Sequence, residues 1–395
     1  MRGVYPMAEY VINQYRGVFK RAVELYENEK FKDSFLLFET VVQNDQANYQ
    51  ACYYLGDQLY YGKGCPKNVK RAFQLFMSAA SNKITDAAYM VGMCYLEGNG
   101  INQDSTQAVA WFTEAAKYAH PLSQYYLGLS YMKGEGITKD IPRAAQWLVH
   151  SAKAGVIEAQ RDGGLCYEML GKYKGAAKLF LAGAENGDPL CQEKIADYYA
   201  EGKGILQCTE LSVHYIQLAA NQNNAQAQLK LANRYSLGDG VRLDKKVAFN
   251  WYQKAANSED PAAMNALAEC YHLGDGCLKN DALAISWWQK AANNGNTPAM
   301  IHLAENLTEP SDKNIVQDLV TAKYWWSRAA EAGDAYAMYR LGDCLEHGIG
   351  VSVVNLEDAF KWYRLASQNG NEEASEATKR FSRSITGKVK IKKVA

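Results

Sequence analysis

"LGLSYMKGEGITKDIPRAAQWLVHSAKAG", Leu127 to Gly155, holds two apolar blocks separated by a pair of glycines. In the first block Leu127, Gly128 and Tyr131 fall at i, i+1 and i+4, which sets them on one face of a helix. Ala144, Trp147, Leu148, Ser151 and Ala152 do the same in the second. Between the blocks, Gly134 and Gly136 can take left-handed backbone angles that other residues resist, and so end the first helix. The stretch predicts a helical hairpin.

The same text recurs along the chain. Glycine pairs stand at Gly62/Gly64, Gly98/Gly100, Gly134/Gly136, Gly202/Gly204, Gly238/Gly240, Gly274/Gly276 and Gly348/Gly350. Their first members are 36, 36, 68, 36, 36 and 74 residues apart, so each long gap hides one unit without the pair, beginning near Ala159 and Ala299. Every unit keeps a small residue in its first helix: Gly56, Gly92, Gly128, Gly164, Ala196, Ala232, Ala268, Ala304 and Gly342. A minimal side chain there lets the two helices approach. The aromatics expected to cover it are Trp111, Trp147, Phe180, Tyr215, Trp251, Trp287, Trp325 and Trp362, read as packing residues rather than a ligand platform.

Composition narrows the functional classes. Of 395 residues, 43 are Lys or Arg and 43 Asp or Glu, which leaves no net positive field to hold a polyphosphate, and nucleic acid is not expected as a partner. No apolar run has signal-peptide or membrane-spanning length. Nine cysteines, none in a Cys-x-x-Cys pair, read as reduced thiols in a cytoplasmic protein.

The pattern Leu-Gly-x-x-Tyr-x-x-Gly-x-Gly, followed by Ala-x-x-Trp-Tyr-x-x-Ala-Ala, resembles the Sel-one-like repeat, a branch of the tetratricopeptide-repeat superfamily. The resemblance covers about Ala51 to Ala374. It implies an all-α, right-handed superhelical solenoid of stacked helical hairpins whose first helices line a concave side. Residues 1–50, with "FKRAVELYENEKFKDSFLLFETVVQND" from Phe19, resemble one tetratricopeptide unit and would cap the amino end. Residues 51–374 form an array of about nine units, of which those near 159–189 and 299–335 are degenerate. The last of these replaces the glycine loop by "TEPSDKNIVQDLV" from Thr308. Residues 375–395 are expected to be a capping helix and basic tail, with Ala374, Ala377 and Phe381 on the helix's apolar face and Lys379, Arg380 and Arg383 at its end. About ten helical pairs and essentially no sheet follow.

Chemistry is scarce beside this repetition. Cys270, His272 and Cys277 supply three potential ligands where a structural zinc site needs four, and no histidine falls in a zinc spacing, so neither metal nor cofactor is expected. The Gly-x-Gly pairs close helices, whereas phosphate loops open them. Some secreted members of the resembled family are associated with penicillin binding or β-lactamase activity and carry cysteines paired around successive units. That pairing is missing here, so a hydrolase is not carried over.

A non-enzymatic, monomeric adaptor or scaffold for another protein is the reading that remains. An alternative is a membrane-peripheral regulator acting through the basic tail. With the Leu-Gly pair buried, the helix phase of the superfamily leaves a stripe three residues before the small residue and one and four after it. In the first three units the stripe is apolar and aromatic, with Tyr53, Asp57, Tyr60, Tyr89, Met93, Leu96, Tyr125, Leu129 and Met132. Later it turns acidic, with Glu168, Glu193, Asp197, Glu269, Glu305, Asp343 and Glu346. Such a groove suits a segment with an apolar anchor at one end and basic residues at the other.

Cys94, Cys166, Cys270 and Cys344 occupy equivalent positions of units 72, 104 and 74 residues apart, too distant in the array for disulfide geometry. Thiol titration in denaturant should therefore count nine reactive groups with or without reductant. A lower count without reductant contradicts the reduced state.

Overall fold

At the connection Gly134–Asp140, Gly134 takes φ 83° and donates its N–H to Ser130 O, closing the first helix. Asp140 N then donates to Tyr131 O at 2.8 Å, and the Asp140 carboxylate accepts from Arg143 N, which opens the second helix. Asn68, Asp104, Asp244 and Asn280 repeat both bonds. A glycine cap and an Asx cap six residues apart thus fix these five hairpin turns.

The computed structural model describes residues 5–45, 47–310, 316–383 and 389–391. Packing divides the chain into two compact units, Met1–Gln207 and Cys208–Ala395. The first holds α1 (Tyr5–Glu27), α2 (Phe31–Asn44), α3 (Tyr49–Tyr61), α4 (Val69–Ser81), α5 (Thr85–Glu97), α6 (Ser105–Lys117), α7 (Pro121–Lys133), α8 (Ile141–Lys153), α9 (Ile157–Met169), α10 (Tyr173–Glu185) and α11 (Pro189–Glu201). The second holds α12 (Thr209–Asn221), α13 (Ala225–Leu237), α14 (Lys245–Asn257), α15 (Pro261–Leu273), α16 (Asp281–Asn293), α17 (Thr297–Thr308), α18 (Leu319–Glu331), α19 (Ala335–His347), α20 (Leu356–Gln368) and α21 (Glu372–Lys379). It ends with strands β1 (Phe381–Arg383) and β2 (Val389–Ile391). Within each unit helices adjacent in sequence pack on one another, giving the stacked hairpins of an all-α solenoid.

The second glycine of each loop has a separate task. A Cβ on Gly136 would overlap the backbone of Ser105, the first residue of α6, and one on Gly100 the backbone of Val69, the first residue of α4. Gly64 meets Phe31, Gly204 meets Tyr173, Gly276 meets Lys245 and Gly350 meets Leu319 in the same way. Each loop is therefore seated on the first turn of the preceding second helix.

Inside a hairpin the small residue is covered as expected, but by a different neighbour. Gly56 faces Phe76, Gly92 faces Phe112, Gly128 faces Leu148 and Gly342 faces Tyr363, whereas Gly164 does face Phe180. Trp111, Trp147, Tyr215, Trp251, Trp287 and Trp362 lie one residue earlier and are half-buried. One residue is about 100° of helix, enough to turn them toward the adjoining hairpin. In the sixth to eighth repeats, Tyr252, Trp288 and Trp326 are buried rings of the second helices, and in the eighth the expected Trp325 is buried beside Trp326.

The carboxyl end departs from the expected helix. α21 stops at Lys379, and Phe381 sits instead on β1, paired antiparallel with β2 in the register Phe381 to Ile391. Phe381 is buried against Phe360 and Tyr363. Val389 and Ile391 alternate with Lys390, a two-residue period that a count of basic charges hides. The rest of the tail, 384–388 and 392–395, lies outside the described residues, as do 311–315 of the connection that contains Pro310.

These contacts rank the glycines. Gly155 has φ 93° with nothing near its missing Cβ, so Gly155→Ala should cost only backbone strain, about 1 kcal/mol. Gly136→Ala adds overlap with the Ser105 backbone and should cost about 3 kcal/mol or more. Comparing their urea midpoints tests the ranking.

Candidate functional site

The expected stripe is set by the first helices α3, α5, α7, α9 and α11 in one compact unit and α13, α15, α17 and α19 in the other. Its residues prove to be largely occupied by unit-to-unit contacts. Tyr60 is buried and donates its hydroxyl to Glu97 at 2.8 Å, from α3 to α5. Tyr53 packs on Tyr54 and Phe76, and Tyr89 lies among Phe112, His120 and Tyr126. Tyr125 donates to Asp162 Oδ2 at 3.0 Å, from α7 to α9. Burial and the Asp162 carboxylate push the Tyr125 phenol well above its ordinary range.

Met93 and Leu96 lean on the core around Phe112 and Leu127, and Met132 on that around Leu148. Leu129 is half-buried.

The acidic half is partnered in a similar manner. Glu168 takes Lys194 at 3.0 Å and Lys203 at 3.4 Å, and both ammonium groups hold its carboxyl below the usual range against burial. Glu193 and Asp197 are half-buried on α11. Glu269 lies 3.4 Å and Glu305 3.7 Å from the ring of His302, which stacks on Trp288, and Glu305 also accepts from Tyr336. Asp343 pairs with His347 at 2.9 Å. Glu346 is buried, accepting from Tyr363 at 2.7 Å and Arg380 at 2.9 Å.

The expectation that these positions are exposed is thus corrected: Asp57, Tyr60 and Glu346 are buried, and most of the others are half-covered. Residues three before and four after the small residue sit on the flank of the helix facing the next first helix. Tyr89, Tyr125 and Glu168 meet there the residue two before its small residue, Tyr126, Asp162 and Lys194, and His302, at the same position, is met by Glu269, one after the small residue. That partner row was missed. Its signal is a polar or aromatic residue immediately before the Leu-Gly or Ile-Ala pair.

The outward face is rotated by only about 50°, to the second and thirteenth residues of the helix, with the ninth between them and shared with the expected stripe. Gln50, Asp86, Leu122, Glu158 and Leu190 are exposed at the second position and Tyr61, Glu97, Lys133, Met169 and Glu201 at the thirteenth. Among these, Leu122 is 40%, Met169 65% and Leu190 47% exposed, on α7, α9 and α11. In the other unit Leu237 and Leu273 hold the thirteenth position and are likewise exposed.

Reactive groups are otherwise engaged. His272 Nδ1 is 2.6 Å from Asp281 Oδ1, and the Cys277 thiol donates to Cys270 O. All nine cysteines are free, and burial pushes the Cys94 and Cys270 thiols up to about 12. Among the described residues no cluster of three His, Cys, Asp or Glu is placed to hold a metal ion, and no helix is long and apolar enough to cross a membrane.

Stacked hairpins of this sequence pattern define a helical-repeat protein. The Sel1 repeat model matches residues 50–83, 85–117, 121–156, 189–224, 225–260, 261–296, 297–334 and 335–371, and the chain belongs to that family. The match includes the glycine-poor unit at 297–334 and passes over α9 and α10. Among solved structures the chain is similar to a protective antigen of uropathogenic Escherichia coli strains with an SLR fold, at 24% identity and a TM-score of 0.69, covering 86% of this chain and 81% of that one. It is also similar to a Sel1 repeat protein from Oxalobacter formigenes, at 26% identity and a TM-score of 0.49, covering 85% and 87%. No curated protein matches significantly.

The clasp of His302 between α15 and α17 carries a pH signature. Hydrogen bonding to Glu269 and then Glu305 raises its pKa from 6.5 to about 9, against burial. A raised histidine pKa stabilises fully below the unfolded value and loses that effect as pH climbs through the folded one. Stability should therefore decline between pH 6.5 and about 9. Because His302 is 38% exposed, screening leaves about 1 kcal/mol of this. Thermal midpoints across that window should fall for the parent and lose this component in His302→Gln.

Proposed function

We propose that this protein is a non-catalytic scaffold that binds a segment of another protein against its first helices. The observation that carries it is the outward face of α7, α9 and α11. There Leu122, Met169 and Leu190 stay outside the stacking contacts that absorb most of the rest of those helices. Apolar side chains left out of a packed array are available to a partner's anchor residues. Family membership supports the same reading, since a stacked array without a reactive cluster works through its surface.

The partner's chemistry follows from this face. Exposed Leu and Met are interleaved with Glu158, Lys133 and Glu201, which favours an amphipathic segment over a wholly apolar one. In the second compact unit Glu269, Glu305 and Asp343 would recruit basic residues of a partner by drawing carboxylate oxygens away from His302 and His347.

Partners captured from a native lysate, then purified, should bind the parent at least tenfold more tightly than the triple variant Leu122→Glu, Met169→Glu, Leu190→Glu. Its melting temperature should stay within a few degrees of the parent. Tyr89→Ala and Tyr125→Ala are unsuitable probes, because both rings are structural. Undiminished binding by the folded triple variant rejects this face.

A further inference from the structure

The fourth residue of each first helix normally fills a gap beside the end of the preceding second helix. In α7, α11 and α13 it is a glutamine, and Gln124, Gln192 and Gln228 donate their amides to the carbonyls of Ala116, Ala184 and Ala220. In α15, α17 and α19 it is Met264, Met300 and Met338, each at most 8% exposed. In α5 the same position is Ala88. The side chain that fills its sister units is missing.

A crevice of about 280 Å³ stands at this place, lined on its apolar side by Ala80, Ile84, Ala88, Trp111, Ala115 and Tyr118 and otherwise by polar residues that include Lys83 and Glu114. Two of these residues break the repeat pattern. Ile84 takes the cap position that holds Asp, Asn or His in α7, α11, α13 and α15, removing a polar group from the wall. Tyr118 ends α6 where the other second helices of the array end in Asn, Ala, Gln or Ser, and it adds a 62% exposed aromatic flank. Apolar cavities of about 150 Å³ already take benzene, and drug-sized pockets start near about 300 Å³. The space here is that of one long side chain.

We infer that this notch is a docking site for a methionine-sized apolar side chain carried by a partner protein. The sister units identify the occupant: the apolar residue that the repeat itself uses to fill this space is methionine. An unbranched thioether side chain adapts to an irregular aromatic and aliphatic wall. The notch is distinct from the outward face of α7, α9 and α11 and does not depend on it.

The test is a selection of displayed random dodecapeptides on the full chain, followed by binding to variants. Ala88→Met and Ala88→Gln place the sister residues in the notch, so both should fold, and Ala88→Met should melt at or above the parent. Enriched peptides sharing a Met or Leu anchor, weakened at least tenfold by Ala88→Met or Ala88→Gln and also by Tyr118→Ala, bear out the site. The variant Leu122→Glu should leave them bound, which separates this site from the scaffold face. Failure to enrich any peptide that the folded Ala88 variants lose overturns the proposal, as does equal binding to parent and variants.

Discussion

Most of the hairpin stacking in this molecule rests on a backbone-to-backbone contact that only glycine permits. In six of the seven glycine-pair loops the second glycine rests on the first turn of the preceding second helix, at a distance where a Cβ would enter the neighbouring main chain, and in the seventh Gly240 meets the side chains of Thr209 and Val213. Because the contact is between backbones, it sets the offset of one hairpin on the next independently of which side chains fill the core. Cores can then vary, from Phe76 and Phe112 in the first unit to Trp288 and Trp326 in the second, without changing the stacking.

That fixed offset brings the flank of each first helix against the next, where the inter-helix links form. The chemistry of the links changes along the chain while their place does not: tyrosine to carboxylate at Tyr60 and Tyr125, lysine to carboxylate at Glu168, histidine between carboxylates at His302. Partly buried links of this sort satisfy polar groups that stacking would otherwise strand, so they are a consequence of the close approach as much as a support for it. They also decide which side chains remain for a partner. Side chains engaged in linking face a neighbouring helix, and what faces outward is the neighbouring stripe that includes Leu122, Met169 and Leu190.

At the carboxyl end the chain folds back over its last helical hairpin. Phe381 covers Phe360 and Tyr363, while Arg380 reaches Glu346, whose side chain is only 2% exposed. An acid so buried requires its cation and its phenol, so the hairpin is part of the folded array. Residues counted as a solvated basic tail therefore include a strand with a packing role, since Val389 contacts the same core.

The sequence by itself determined the hairpin and its repetition, because helix period, glycine caps and a small residue facing a large one are local properties written within some thirty-six residues. It also marked the family through the Leu-Gly, Gly-x-Gly and Ala-Ala positions. What it left open turns on angles between elements. The ring covering Gly92 is Phe112 and not Trp111, a difference of one residue that only the crossing of two helices resolves. Tyr60, Tyr125, Glu269 and Glu346 carry the right period for a surface, yet they face a neighbouring helix instead of solvent. Periodicity names the face of a helix that is buried in its own hairpin. Which of the remaining faces meets the next hairpin depends on how the hairpins stack, and the notch at Ala88, where a shortened side chain leaves room beside that same contact, exists only once they do.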